Sequence, residues 1–202
     1  MDENRFDDLI KKYTSQYRLP WMLIKAQIWQ ESKFDPEAKS SHAMGLMQLL
    51  PATAREMGLD IQEIFDPEKN ISAGVKYDRV QYDHFPEISP SPRPSPARGE
   101  GNLFNERLKF MLAAYNCGRG YINKALRLAK ELEFGYQPLS ARPGQWQTWE
   151  YTCTFLSVPL CEVNGKHSDY KQVWNYVEKI WEKYLEYQNA ESIAHSVEGK
   201  WI

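Results

Sequence analysis

Pro20-Trp21-Met22-Leu23-Ile24-Lys25-Ala26-Gln27-Ile28-Trp29-Gln30-Glu31-Ser32-Lys33-Phe34-Asp35-Pro36 is the stretch on which the reading of this chain turns. A proline at the first helical position loses no hydrogen bond, and a residue that precedes proline is pushed out of the helical region. The run therefore predicts a helix that opens at Pro20 and closes before Pro36. Ile24, Ile28 and Glu31 follow one another at helical spacing and fall on nearly one face. A carboxyl at the end of an apolar face is unusual, because burying its charge is costly. Shelter from water would raise its pKa and favour the acid form near neutral pH. An acid held in that form can protonate a glycosidic oxygen. The alternative is a helix-end glutamate whose side chain turns into water.

Working outward, residues 5–18 predict a first short helix, with Phe6, Leu9, Ile10 and Tyr13 at helical spacing. Pro51 starts a short helix through Met57. Asp66-Pro67 reads as a cap followed by proline at the first helical position, opening a helix to about Tyr82. Asn102 to Asn116 predicts another, with Phe104, Leu108, Met111, Leu112 and Tyr115 as its apolar face. One more covers about Tyr121 to Leu132. Residues 134–168, punctuated by glycine and proline, read as irregular or short extended pieces. The final helix, Asp169 to Asn189, buries Tyr170, Val173, Trp174, Val177, Ile180, Trp181 and Tyr184. Between the helices, Ser89-Pro90-Ser91-Pro92-Arg93-Pro94-Ser95-Pro96 reads as part of an exposed insert over 87–102. The expectation is one mainly α domain over residues 1–189, with a tail over 190–202 and no parallel βαβ sheet.

Polar residues inside apolar surroundings are the next signal. Ser32 follows Glu31, and Gly45-Leu46-Met47-Gln48 follows after a loop. Met47 suits a core as well as a site. The Gln48 amide, inside an apolar run, needs a partner if buried, from a ligand or from the local backbone. Tyr115-Asn116 ends an apolar helix, where Tyr115 either crosses the core or reaches solvent, and Asn116 either caps its helix or serves a site. Tyr176 lies at the edge of the final helix's buried face, suited to a cleft or to ordinary packing.

The whole chain narrows the classes. With 202 residues it can bury a real core unaided. A formal net charge of −2 gives no general pull toward nucleic acid. No apolar run is long enough to span a bilayer, and the polar, acidic start Met1-Asp2-Glu3-Asn4-Arg5-Phe6 lacks the pattern of a signal peptide. His42, His84, His167 and His195 are scattered, and Cys117, Cys153 and Cys161 form no close pair, so neither a metal nor another cofactor is expected. A turn through Ser157-Val158-Pro159 could join Cys153 to Cys161 in a disulfide, with separate buried thiols as the alternative. No phosphate loop, dinucleotide signature or GxSxG turn is present.

Three ordered motifs then carry a resemblance. They are Ile24 through Pro36, Gly45-Leu46-Met47-Gln48-Leu49-Leu50-Pro51-Ala52-Thr53-Ala54, and Ala113-Ala114-Tyr115-Asn116-Cys117-Gly118; Tyr176-Val177 is a fourth, weaker one. Together they resemble the soluble lytic transglycosylase catalytic domain, in the goose-lysozyme-like glycosidase clan. The resemblance implies a lysozyme-like helical domain with a glycan-binding cleft and an irregular insert. It makes Glu31 the sole catalytic acid and base, cutting the MurNAc-β-1,4-GlcNAc bond of bacterial peptidoglycan without water and leaving 1,6-anhydromuramyl ends. It places Ser40 at the muramic N-acetyl or lactyl region, and Gln48 and Asn116 as sugar-binding or cleft-organising residues. Tyr115 becomes an orienter, Tyr176 a hydroxyl beside the carboxylate, and Ser32 and Met47 supporting residues.

Two departures accompany it. The loop Ser40–Gly45 is shorter than a common family form and lacks an extra glycine. Gln172-Val173-Trp174-Asn175 replaces an acidic-Thr-Arg lead before Tyr176. The other readings are a lysozyme-like hydrolase that uses water and a non-catalytic glycan-binding or structural module. Peptidoglycan as partner implies the periplasm or cell envelope, or delivery there beside phage or secretion-system proteins.

Overall fold

A computed structural model describes residues 2–88, 103–135 and 145–198. The chain is mainly α. In order come α1 (Asp7–Tyr17), α2 (Trp21–Ser32), α3 (Pro51–Met57), α4 (Pro67–Asp83), α5 (Leu103–Cys117), α6 (Arg119–Gly135), α7 (Trp149–Thr152) and α8 (Tyr170–Glu198). A two-residue antiparallel pair, β1 (Glu162–Val163) with β2 (Lys166–His167), precedes α8. The chain forms two compact units, residues 1–79 with 178–202, and residues 80–177.

The first unit is built around α2. Met22, Leu23, Ile24, Ala26 and Ile28 are buried on it, and so are Lys25, Gln27 and Ser32, so the helix is enclosed on most sides instead of showing one apolar stripe. Pro20 sits at its N-cap, as proline's preset φ favours. Lys25, only 3% exposed, is tolerated because its Nζ donates to Asn4 Oδ1 at 2.7 Å and pairs with Asp7 at 2.8 Å. The Lys25 ammonium also lies 5.0 Å from the Tyr187 ring of α8, and Tyr187 donates its hydroxyl proton to Glu3 Oε2 at 2.7 Å. Asp7 and Asp8 occupy the first turn of α1, where carboxylates complement the helix dipole. Asp66 caps α4 by accepting the Lys69 amide N–H at 2.9 Å.

The second unit centres on α5, whose Leu103, Leu108, Phe110, Met111, Leu112, Ala113 and Ala114 are buried. Phe110 meets the ring of Phe85 at 5.8 Å and the edge of Trp149 at 5.8 Å, and Trp149 stacks on Trp174 at 6.5 Å. The β1–β2 turn uses Asn164 and Gly165, both at positive φ, the conformation a two-residue hairpin favours.

Several expectations change. Phe104 was expected on the buried face of α5 but is 44% exposed, meeting Tyr82 edge-on. The next helix begins at Arg119, directly after Gly118 breaks α5 at φ +91°. Trp174 and Trp181 are half-buried on α8, which continues past Asn189 to Glu198. All three cysteines are free thiols. The Cys153–Cys161 bridge is not formed: Cys153 Sγ donates to Glu150 O at 3.1 Å and Cys161 Sγ to Tyr121 O at 3.5 Å. The insert over 87–102 lies outside the described residues except for Glu87 and Ile88.

Candidate active site

Glu31 lies in the last turn of α2 and is half-buried. A helix C-terminus carries partial negative charge, which favours the uncharged form of a carboxyl placed there. Ser32, next to it, turns its hydroxyl back to Ile28 O at 3.2 Å and is nearly sealed from solvent. The chain then leaves the helix through two consecutive non-glycine residues in the left-handed region, Lys33 at φ +53° and Phe34 at φ +64°. Such conformations cost about 1–3 kcal/mol each and persist only where their surroundings impose them. Here Phe34 is 1% exposed, and the Lys33 ammonium lies 3.1 Å from the Trp29 ring centroid. A buried ring and a cation–π contact therefore fix the exit from the Glu31 turn.

The following loop is stitched by backbone hydrogen bonds and by side-chain amides. Gly45, at φ +78°, donates its N–H to Ala38 O at 2.8 Å. A Cβ at Gly45 would lie 2.2 Å from Asn70 Nδ2 and 2.7 Å from Ile64 O, so this glycine is required by space as well as by φ. Gln48, at φ +44°, donates from Nε2 to Ala38 O at 3.0 Å and to Gly45 O at 2.9 Å. The Gln48 amide thus has local backbone partners. Met47 is fully buried, and its sulfur fills the space where a Cβ on Gly74 would stand. Ser40 is exposed, and its Oγ accepts the Ala43 N–H at 3.1 Å.

Two features of this unit escaped the sequence reading. Asn70, fully buried, donates from Nδ2 to Ile64 O at 2.7 Å and Met44 O at 3.3 Å, and accepts the Met47 N–H on Oδ1 at 2.8 Å. One side chain thereby holds both ends of the Gly45 turn. Asp78 and Gln27, also fully buried, meet through a Gln27 Nε2–H donated to Asp78 Oδ1 at 3.2 Å. Burial pushes the Asp78 carboxyl well above the usual aspartate range, the Gln27 hydrogen bond opposes the rise, and the charge of Glu31 adds to it.

Tyr115, Asn116 and Tyr176 belong to the second unit. Tyr115 and Asn116 are half-buried in the last turn of α5. The helix is closed behind them by the Gly118 N–H on Ala114 O at 2.9 Å, and Asn116 Oδ1 is buried with no hydrogen-bond partner among the described residues. Tyr176 is 6% exposed on α8. Burial pushes the neighbouring Cys117 thiol up to about 12, which leaves it un-ionised and a poor nucleophile at neutral pH. Among the described residues no group of His, Cys, Asp or Glu is arranged to hold a metal. No helix among them is long and apolar enough to cross a membrane. A cavity of about 430 Å³ in the first unit is lined by Tyr13, Glu63, Glu68, Lys69 and Lys76 among others. Its carboxylates are already engaged, Glu68 by Lys12 at 2.6 Å and Glu63 by Lys69.

Comparison with known proteins gives a consistent picture. A membrane-bound lytic murein transglycosylase F of Desulfosudis oleivorans is 38% identical over 145 residues, 71% of this chain and 27% of that protein. The protein of the same name from Cellvibrio japonicus is 31% identical over 182 residues, 88% of this chain and 32% of its own length. The chain thus spans roughly a quarter to a third of the length of these curated relatives. The crystal structure of the 70 kDa soluble lytic transglycosylase SLT70 from Escherichia coli superposes with a TM-score of 0.61 at 23% identity. It covers 93% of this chain and 25% of that one. That match shows a shared, lysozyme-like helical fold. The transglycosylase SLT domain model matches residues 8–137, which include Glu31, the Gly45 turn, Asn70 and Asp78. The chain belongs to the transglycosylase SLT domain family.

Proposed function

We propose that this chain is a peptidoglycan lytic transglycosylase that cuts the bond between N-acetylmuramic acid and N-acetylglucosamine, with Glu31 as its single proton-transferring residue. The reading is carried by one observation. In a domain of this family, a half-buried carboxyl stands at the negative end of α2, and buried contacts fix the turn that follows it. The relatives named above are lytic murein transglycosylases, which supports murein glycan as the substrate.

Glu31, as an acid, gives its proton to the glycosidic oxygen while the C1–O bond breaks. The N-acetyl oxygen of the muramic residue bonds to the vacated anomeric carbon, giving an oxazolinium-like intermediate. Glu31, now a carboxylate, takes the proton from the C6 hydroxyl. The C6 oxygen then displaces the acetyl oxygen from C1 and closes the 1,6-anhydro ring. The proton lost in the first step returns in the second, and no water enters. One carboxyl suffices because the substrate supplies the nucleophile that a retaining glycosidase takes from a second carboxylate.

In the first unit Ser40, Gln48 and Met47 support the loop beside this reading, with Gln48 stabilising backbone that a sugar would approach. In the second, Asn116 Oδ1, a buried acceptor without a donor among the described residues, suits an amide N–H such as that of an N-acetyl group. Tyr115 orients substrate, and Tyr176 offers it a hydroxyl. The place of action is the cell envelope, where murein lies, whether the chain is exported or delivered by a phage or secretion apparatus.

Digestion of purified peptidoglycan tests the reading. Mass spectrometry of the products should find 1,6-anhydromuramyl ends with no incorporation from isotopic water, and E31Q should lose cleavage. Reducing ends carrying one water would establish a hydrolase instead. Binding without cleavage at any pH would establish a non-catalytic module.

A further inference from the structure

The Asp78–Gln27 pair has a specific gap in it. Beyond the single 3.2 Å bond from Gln27 Nε2–H to Asp78 Oδ1, Asp78 Oδ2 and Gln27 Oε1 are buried with no hydrogen-bond partner among the described residues. If Asp78 is ionised, both orphaned atoms are acceptors and cannot satisfy one another. One proton on Asp78 Oδ2 removes the deficit. The carboxyl then presents a donor beside an acceptor, and the primary amide of Gln27 presents an acceptor beside a donor, so the two groups can close a ring of two hydrogen bonds. An ionised carboxylate there would hold a full charge in the interior against one long hydrogen bond, a state that buried acids escape by keeping their proton. The upward push of burial on Asp78 acts in the same direction. Among the described residues, the charged group that acts on it from a packed element is Glu31 of α2.

Gln27 precedes Glu31 by one helical turn on α2, so the two side chains lie one above the other on the same face. Asp78 therefore bears on Glu31 mechanically, through Gln27, and electrostatically, by whether it carries charge. We propose that Asp78 is a positioning residue for Glu31 that works with its proton retained. Its acid–amide ring with Gln27 anchors the face of α2 that carries Glu31 and keeps a second negative charge out of the site. This rests on the reading of Glu31 as the proton-transferring group. During the reaction Glu31 must become a carboxylate after giving its proton to the glycan. An ionised Asp78 behind it would oppose that step, and an uncharged one does not.

The test uses the whole 202-residue chain with D78N, D78L and E31Q. An Asp78 that keeps its proton in the fold releases it on unfolding. The folding constant of wild type therefore falls against that of D78N by about tenfold for each pH unit above the ordinary aspartate range, until the folded carboxyl itself ionises. Denaturant unfolding between about pH 5 and pH 8 reads this directly. A D78N-to-wild-type ratio that stays constant across that range means an ionised Asp78 in the fold and overturns the proposal.

On soluble glycan strands, D78L leaves the Gln27 amide unpaired and should lower kcat about tenfold with KM little changed. D78N, whose own amide closes the same ring, should recover most of that loss. D78L with wild-type kcat, or D78N as impaired in kcat as D78L, overturns the positioning role. Should D78L fail to fold, the pH dependence and kcat of D78N still decide. E31Q separates the two readings: full activity there defeats the role of Glu31, while the stability linkage of Asp78, measured without substrate, stands or falls by itself.

Discussion

Replacing Asn70 by leucine keeps the number and branching of the side-chain heavy atoms while removing every polar atom, and the loss follows from the geometry. The wild-type amide makes two short hydrogen bonds, to Ile64 O at 2.7 Å and from Met47 N–H at 2.8 Å, and a longer one to Met44 O at 3.3 Å. The substitution removes the Asn70 hydrogen bonds from the buried Met47 N–H and Ile64 carbonyl. A buried backbone group stripped of its partner costs about 1–3 kcal/mol. Two such groups give a loss of about 2–6 kcal/mol, with the weaker Met44 contact adding little. For a chain of this size, about 1 kcal/mol moves Tm by roughly 2–4 °C, so N70L should melt about 10 °C below wild type. Differential scanning calorimetry measures the shift, and cleavage at a temperature where both proteins are folded measures the effect on the Gly45 turn. A Tm within about 2 °C of wild type would refute the argument that Asn70 holds this loop.

Gly45→Ala meets both the φ of +78° and a 2.2 Å approach to Asn70 Nδ2, so it should destabilise by about 3 kcal/mol or more, read by denaturant midpoint. K25M strips the ion-pair partner from Asp7 and the donor from Asn4, and a loss of about 2–4 kcal/mol is expected, with part of it recovered in the K25M/D7L double variant. The Cys117 thiol, with its folded pKa pushed up to about 12, contributes stability that is complete below the ordinary thiol range. That contribution is lost as pH rises from about 9 toward 12, so C117S should flatten the alkaline fall in Tm. Thiol titration without reductant in denaturant should count three free cysteines, in keeping with the unbridged Cys153 and Cys161; a count of one would show a bridge in solution.

Prolines and periodicity made the helical frame legible. Pro20, Pro51 and Pro67 mark helix starts as their fixed φ requires, and α3 runs from Pro51 to Met57 as expected. The continuation of α8 past Asn189 was legible as well, since Ala190, Ile193, Ala194 and Val197 recur at helical spacing. Phe104 was misplaced because periodicity assigns a face but cannot say how far along the helix that face stays covered. Glu31 stood out because Ile24, Ile28 and Glu31 share a face, while the catalytic role assigned to it came from the family resemblance. The same rule applied to α4 gives Ile71, Val75 and Asp78, all fully buried, and would have marked Asp78 as a second carboxyl on an apolar face. Asn70, Gln27 and Lys25 were hidden for another reason. Their burial is tolerated because of partners distant in sequence, and no local pattern reports a partner 23 or 51 residues away.

The Lys33–Phe34 turn has a bearing on how this chain could be improved or could drift. Lys33 holds a backbone shape that asparagine or glycine adopts with less penalty, so either substitution there offers a direct route to a higher melting temperature. The same change would remove the ammonium from above Trp29 and slacken the hinge just beyond Glu31. Variants selected only for heat resistance should therefore accumulate at position 33 while loosening the turn that follows Glu31, whereas Phe34, locked in the interior, should tolerate almost no substitution.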